Sequence, residues 1–228
     1  MDLLKLIHKL RQKESEQHWL LALALLLAGV MPAAAQAGLD AGGLTFKDFA
    51  VADNGASFAR QDLGGSETKG ARLLGVDAAT GKARIAFTPI RIEAEVPMGW
   101  QSGEDAERGT AYSGDRSYRL IVWRVDYAYE GVKNAEHYAS EKAGAIQARR
   151  KGVKARTQPL GDGSFLIIYE NVPPSPGDRE PRTVYDVIQP TPGDAKTGVL
   201  LTLGVPASQA DRGLKLMALL KQNLRVLP

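Results

Sequence analysis

The chain has no cysteine among its 228 residues and only three histidines, two of them within the first 18 positions. The missing cysteine excludes disulfides, Cys–zinc sites, thiol nucleophiles and iron–sulfur clusters. The one histidine left, His137, permits no His-rich metal site and at most one His-dependent triad. Charge of one sign is not in excess either, with 29 basic against 26 acidic side chains. The apolar run Trp19 to Val30 is 12 residues long, well short of the roughly 20 that span a bilayer. No Gly-x-Ser-x-Gly elbow, phosphate-cradling glycine loop or zinc-protease helix motif occurs. No catalytic residue, cofactor or metal ligand is therefore nominated.

What is present begins with a leader. Lys5, Lys9, Arg11 and Lys13 form a basic n-region, Trp19 to Val30 an apolar core, and Ala35-Gln36-Ala37 a small-residue cleavage site. Residues 1–37 thus read as a signal peptide cleaved after Ala37, which directs the protein to the periplasm or outside. No stable transmembrane span remains after that cleavage. An uncleaved leader that tethers an accessory subunit to the membrane is the alternative. The mature part has 191 residues, with 25 basic and 23 acidic side chains, enough for a core without disulfides.

Residues 38–89 read as a strand-rich extension. Leu44 to Val51 is expected as a strand, Asp53-Asn54-Gly55 as a turn and 60–70 as an exposed loop. Arg72 to Val76 and Lys82 to Thr88 then read as a hairpin closed at Gly81. Beyond Pro89, Arg91 to Val96 alternates with Ile92, Ala94 and Val96 on one face. A charged loop at 103–109 leads to a short strand near Thr110 to Tyr112, and Tyr118 to Tyr129 is the longest strand candidate. Asn134 caps a helix that runs to about Lys151, with Gly152 at its end. Three strands follow (Phe165 to Glu170, Arg182 to Gln189, Gly198 to Val205), then a helix capped by Ser208 with Asp211 at N3. Turn-linked strands pair antiparallel, and two amphipathic helices must cover them. The fold class expected is α+β: an antiparallel sheet covered by two main helices, an α/β/α-type sandwich, with the N-terminal extension attached.

The stretch Ile92-Glu93-Ala94-Glu95-Val96-Pro97-Met98-Gly99-Trp100 resembles the "strand, Pro, x, Gly, Trp" opening of PsbP-like domains. That family includes the photosystem PsbP proteins, the Ran-binding Mog proteins and the bacterial envelope protein DcrB. The resemblance covers roughly residues 90–227 and extends to the order of strands and helices. It implies an antiparallel sheet flanked by helices and a non-enzymatic accessory or binding role, with no catalytic set to carry over. Residues 38–88 have no counterpart in it. The domain boundaries expected are therefore 1–37, 38–89 and 90–228.

A few residues invite a site. Trp100, after its Pro-x-Gly turn, is either a plug at the end of the core or a platform for a ligand. Arg124 and Asp126 stand two apart in the long strand, where charge is costly unless paired or solvated. They suggest either a partly covered sheet face or a polar pocket, in which case a periplasmic hydrolase using Asp or Glu is the alternative function. Glu170 and Asp186 lie in strands as well, and Glu93 and Glu95 share a polar face. His137, in the first turn of the central helix, is expected as a neutral structural or surface imidazole. Arg149, Arg150, Lys151, Lys154 and Arg156 set five positive charges in eight residues. For an exported protein lacking nucleic-acid motifs, these point to an envelope protein or an anionic lipid or lipopolysaccharide headgroup as partner, and not to nucleic acid.

Overall fold

The computed structural model describes residues 38–51, 71–104 and 107–227. The leader, the turn at 53–55, the loop at 60–70 and part of the 103–109 loop lie outside the described residues. The strands are β1 (Ala71–Asp77), β2 (Lys82–Phe87), β3 (Ile92–Pro97), β4 (Gln101–Glu104), β5 (Arg108–Tyr112) and β6 (Arg119–Asp126). After helix α1 (Ala135–Arg149) come β7 (Lys154–Leu160), β8 (Ser164–Val172), β9 (Arg182–Thr191) and β10 (Asp194–Pro206). Helix α2 (Ala210–Gln222) and the short β11 (Leu224–Val226) close the chain.

The class is α+β with antiparallel pairing and two helices, as the sequence implies. There are, however, two sheets: β1-β2-β3-β11 and β4-β5-β6-β10-β9-β8-β7. One face of the seven-stranded sheet carries α1, through Ala135, Tyr138, Ala139 and Ala143 against Ile167, Tyr169, Ile188 and Leu200. Its other face packs on the four-stranded sheet and α2, where Ile85, Phe87, Ile92 and Val96 meet Leu120, Val122, Leu201, Leu216 and Leu220. Strands β8, β9 and β10 are thus covered on both sides, and their sequences read as nearly unbroken apolar runs instead of alternating ones. Leu166, Ile167, Ile168 and Tyr169 are all buried in succession.

Described residues before Pro89 pair directly with the segment beyond it. β2 pairs along β3 from Lys82↔Pro97 to Phe87↔Ile92, and β11 takes the other edge of β3 at Leu224↔Ala94. The described residues from Gly38 onward make one compact unit.

Three local expectations are corrected, and one strand is added. Phe46–Phe49 is a 3-10 helix and not a strand. The Asp48 carboxylate accepts from both the N–H and the hydroxyl of Thr45, and the three-residue repeat puts Phe46 and Phe49 on one buried side. The 103–109 loop is mostly strand, since β4 and β5 pair from Gln101↔Tyr112 to Glu104↔Gly109. Lys154–Leu160 is a further strand, at the sheet edge, where its charges and Pro159 are tolerated. Ser208 does not cap α2, whose N-cap is Gln209; its N–H and hydroxyl go to Glu180 instead.

The Pro-Met-Gly-Trp turn does form. Gly99 has φ +87°, and a Cβ there would lie 2.8 Å from Cβ of Val51. Trp100 is fully buried, with its indole N–H donating to the Phe49 carbonyl at 3.1 Å and its ring 6.0 Å from that of Tyr118.

Candidate functional site

At one end of the seven-stranded sheet, three connections converge: β5–β6, the proline-rich β8–β9 loop, and the junction between β10 and α2. The pairings Arg119↔Gly204 and Arg182↔Pro206 bring the strand ends level there. They enclose an open cleft of about 640 Å³, lined among others by Arg116, Arg119, Asp178, Arg179, Arg182 and Gln209.

Arg182 builds its wall. Only 5% exposed, its guanidinium grips Asp178 with two parallel bonds, Nε to Oδ2 at 2.6 Å and Nη2 to Oδ1 at 2.7 Å. Nη1 donates to the carbonyls of Ser117 (2.8 Å) and Gly204 (3.2 Å). Arg119 adds Nη2 to Asp178 Oδ1 at 2.7 Å and Nε to the Arg116 carbonyl at 3.1 Å. Asp178 also accepts from the Ser175 N–H at 2.8 Å. The Arg182 bonds, outweighing burial, hold the Asp178 carboxyl well below the usual carboxylate range.

The other two carboxylates at the cleft are committed in the same way. Burial pushes Asp115 up, but bonds from Ser113 and Ser117 prevail and its carboxyl lies low. Glu180 is lowered by the Ser208 hydroxyl and N–H. Arg116 and Arg179 differ from their neighbours: both are exposed, and among the described residues neither has a carboxylate within ion-pair distance. The Arg116 guanidinium lies 5.8 Å above the Tyr112 ring.

None of the residues singled out from the sequence lines this cleft. Asp126 is exposed and caps a turn, its Oδ1 accepting from the N–H groups of Ala128 (2.9 Å) and Tyr129 (3.1 Å). Arg124 is half-buried, and its nearby charge is Asp194 rather than Asp126. Trp100 is enclosed in the core, with no ring face open to a ligand. The basic segment is divided: Arg149 ends α1 and Arg150 and Lys151 follow it, while Lys154 and Arg156 stand on edge strand β7. Arg156 reaches to 3.8 Å from Glu170. Glu95 pairs with Lys82 at 2.9 Å, and His137 Nδ1 accepts from the Lys133 N–H at 3.2 Å.

Among the described residues, Asp186 is the most buried of the acidic and basic side chains. It meets Lys142 of α1 at 3.0 Å, accepts from the Thr202 hydroxyl, and is 1% exposed. Lys142 Nζ lies 5.6 Å from the Trp123 ring centre and 5.8 Å from that of Tyr138, so one cation ties the helix to the sheet. Burial and the Asp186 carboxylate push the Tyr169 hydroxyl far above an ordinary tyrosine. Among the described residues no group of three or more His, Asp or Glu is placed to hold a metal, and no helix is long and apolar enough to cross a membrane.

The cleft residues escaped the sequence reading because each looks ordinary alone. The one available clue was density: Asp178-Arg179-Glu180-Pro181-Arg182 packs four charges into a loop already marked by Pro173, Pro174 and Pro176.

No family model matches the chain, and no curated protein matches it. Among solved structures the chain is similar to the Ran-binding protein Mog1p of Saccharomyces cerevisiae, at 13% identity over 64% of this chain and 95% of that one, with a TM-score of 0.45.

Proposed function

We propose that this chain is an exported accessory module of the bacterial cell envelope that binds a protein partner at the arginine-lined cleft. One observation carries the binding role. Among the described residues, every carboxylate facing the cleft is hydrogen-bonded into the fold and held below its ordinary range. A general acid or base must titrate near the working pH, and these groups stay ionised there. They serve as fixed architecture around an open concavity. The export part rests on the leader sequence, and the PsbP-like stretch at 92–100 supports an accessory role.

The test is photo-crosslinking in cells from a reactive residue at Pro176, in the cleft, compared with one at Gln147 on α1. A discrete protein adduct from Pro176 alone is expected, on a chain whose N-terminal sequencing begins at Gly38. Equal adducts from both positions, or none, would sink the binding site; a chain beginning at Met1 in the membrane fraction would sink the cleaved form.

A second reading places an anionic headgroup on the basic segment. It is favoured by Arg149, Arg150, Lys151 and Lys154, all exposed and, among the described residues, without a carboxylate within ion-pair distance. Reversing their charge should then release the protein from phosphatidylglycerol vesicles, and unchanged co-sedimentation would dismiss it.

A further inference from the structure

We infer that the cleft recognises a carboxylate, and that Arg116 and Arg179 clamp an acidic side chain or a chain terminus of the partner protein. The inference rests on the reading of this cleft as a protein-binding site and adds the chemistry of what enters it.

The backbone of Arg116 supplies the first argument. Its φ is +58°, the left-handed region that Gly, Asn or Asp occupy at less cost than a long side chain. The turn itself is made by other groups. The Arg116 N–H donates to the Ser113 carbonyl at 2.8 Å, and Asp115 collects Ser113 and Ser117. The Arg116 carbonyl receives Nε of Arg119 and Nη2 of Arg182. None of this needs a guanidinium at position 116. An arginine held in a strained conformation, with its head at a cleft and only the Tyr112 ring beneath it, is placed for something outside the chain.

Charge supplies the second. Four arginines and three carboxylates line the cleft, which leaves one positive charge in excess. Arg119 and Arg182 share Asp178. Asp115 and Glu180 match Arg116 and Arg179 in number, but their carboxylates are taken by Ser113, Ser117 and Ser208. Among the described residues the two guanidiniums stand outside ion-pair distance of a carboxylate, beside the excess. A single carboxylate neutralises it. A phosphate dianion would turn the cleft negative beside three fixed carboxylates. Guanidinium groups suit carboxylates through paired N–H donors. The space fits as well, because about 640 Å³ lies within the usual range for a bound small ligand or short peptide segment. Pro176, Gly177 and Pro206 give that space an apolar border.

The experiment measures fluorescence anisotropy of fluorescein-labelled penta-glutamate and penta-glutamine with the exported chain, at low ionic strength. Penta-glutamate should bind and weaken with added salt, and penta-glutamine should bind at least about tenfold more weakly, as expected when a charge-assisted pair is lost. Arg116→Asn and Arg179→Gln should each weaken penta-glutamate several-fold. Arg116→Asn should also keep or raise the thermal midpoint, since Asn tolerates the left-handed backbone; that separates lost contact from lost folding. Reversing Arg149 and Arg150 should change nothing.

Equal binding by the arginine variants would overturn the inference, as would equal loss from the Arg149 and Arg150 reversal. So would displacement by inorganic phosphate at lower concentration than by acetate. The two readings of the cleft fail separately. A Pro176 adduct that survives the double arginine variant removes the carboxylate clamp and leaves the protein partner. Arginine-dependent binding of penta-glutamate without any adduct removes the protein partner and leaves the clamp.

Discussion

Arg182 is a buried cation whose pairing is nearly complete, and this determines what its loss would do. Its fork occupies both oxygens of Asp178, and its remaining donors reach carbonyls 65 and 22 residues away in the chain. Removing one partner of such a pair leaves the other buried and short of compensation, at about 3–5 kcal/mol. Arg182→Met should therefore cost about that much in urea unfolding, and Arg182→Lys should fall between it and the parent because an ammonium cannot present the fork. The pH dependence has a definite sign. Asp178 has a folded-state carboxyl well below its ordinary value of 3.8. Its contribution is full above that value and is lost as pH falls through the folded one. Asp178→Asn should be less stable at neutral pH, with a flatter loss of stability below about pH 4, the ordinary carboxylate range. A variant with the parent's acid limb would show that other carboxylates carry it. The charge density at 178–182 marks the loop but not this role, since the carbonyl partners at 117 and 204 become neighbours only through strand pairing. Arg124 and Asp126 were conspicuous for the opposite reason. Charges two apart in an apolar strand attract notice, yet one serves a turn and the other lies near a hairpin end.

At the scale of elements, local chemistry and packing agree in α1 and compete in α2. Asn134 Oδ1 accepts the His137 N–H at 2.9 Å, and Gly152 takes φ +88° after the helix, so both ends of α1 were legible from residue type. Its interior Gly144 has nothing within 4 Å of where a Cβ would sit. Gly144→Ala should raise stability by about 1 kcal/mol, the helix-propensity difference. Gly213 in α2 has the same intrinsic preference for alanine, but a Cβ there would lie 2.7 Å from Val205 Cγ2 and 3.2 Å from the Tyr185 ring. Both neighbours are buried core groups, and overpacking of this kind costs about 1–3 kcal/mol. Gly213→Ala should accordingly be neutral or destabilising where Gly144→Ala stabilises, as thermal midpoints of the two variants would reveal. If both stabilised, the close contact of α2 with β10 would be wrong. The elements that the sequence hid are those whose pattern is set from outside. β7 is polar because it is an edge, and the Thr45–Asp48 capping interaction turns an apparent strand into a 3-10 helix. Ser208, three residues before Asp211, matched a capping box, but Glu180 from a distant loop takes its donors.

The whole molecule depends on joining parts that the sequence seemed to separate at Pro89. β3, which lies beyond that point, sits between β2 and β11 in the smaller sheet. The first segment also seals the core: Phe46, Phe49, Ile85 and Phe87 belong to the same buried cluster as Trp100. Arg212 of α2 reaches back across it, donating to the Asp48 carbonyl with its guanidinium 4.6 Å from the Phe49 ring. These pairings were not legible in the sequence, because periodicity reveals that a strand has an apolar face, and not which other strand covers it. Magnitudes make the consequence testable. Losing one large core side chain costs about 2–5 kcal/mol, and a whole domain is stable by about 5–15 kcal/mol. A fragment comprising residues 90–228 forfeits four such side chains and also leaves one edge of β3 unpaired. It should express without a cooperative urea transition, with its Trp100 fluorescence shifted to the red and its near-ultraviolet circular dichroism lost. Adding residues 38–89 as a separate peptide should restore part of both signals if strand pairing is the missing element. A fragment that unfolds cooperatively with a native-like Trp100 environment would instead make residues 90–228 an independent domain and reduce the smaller sheet to an accessory layer.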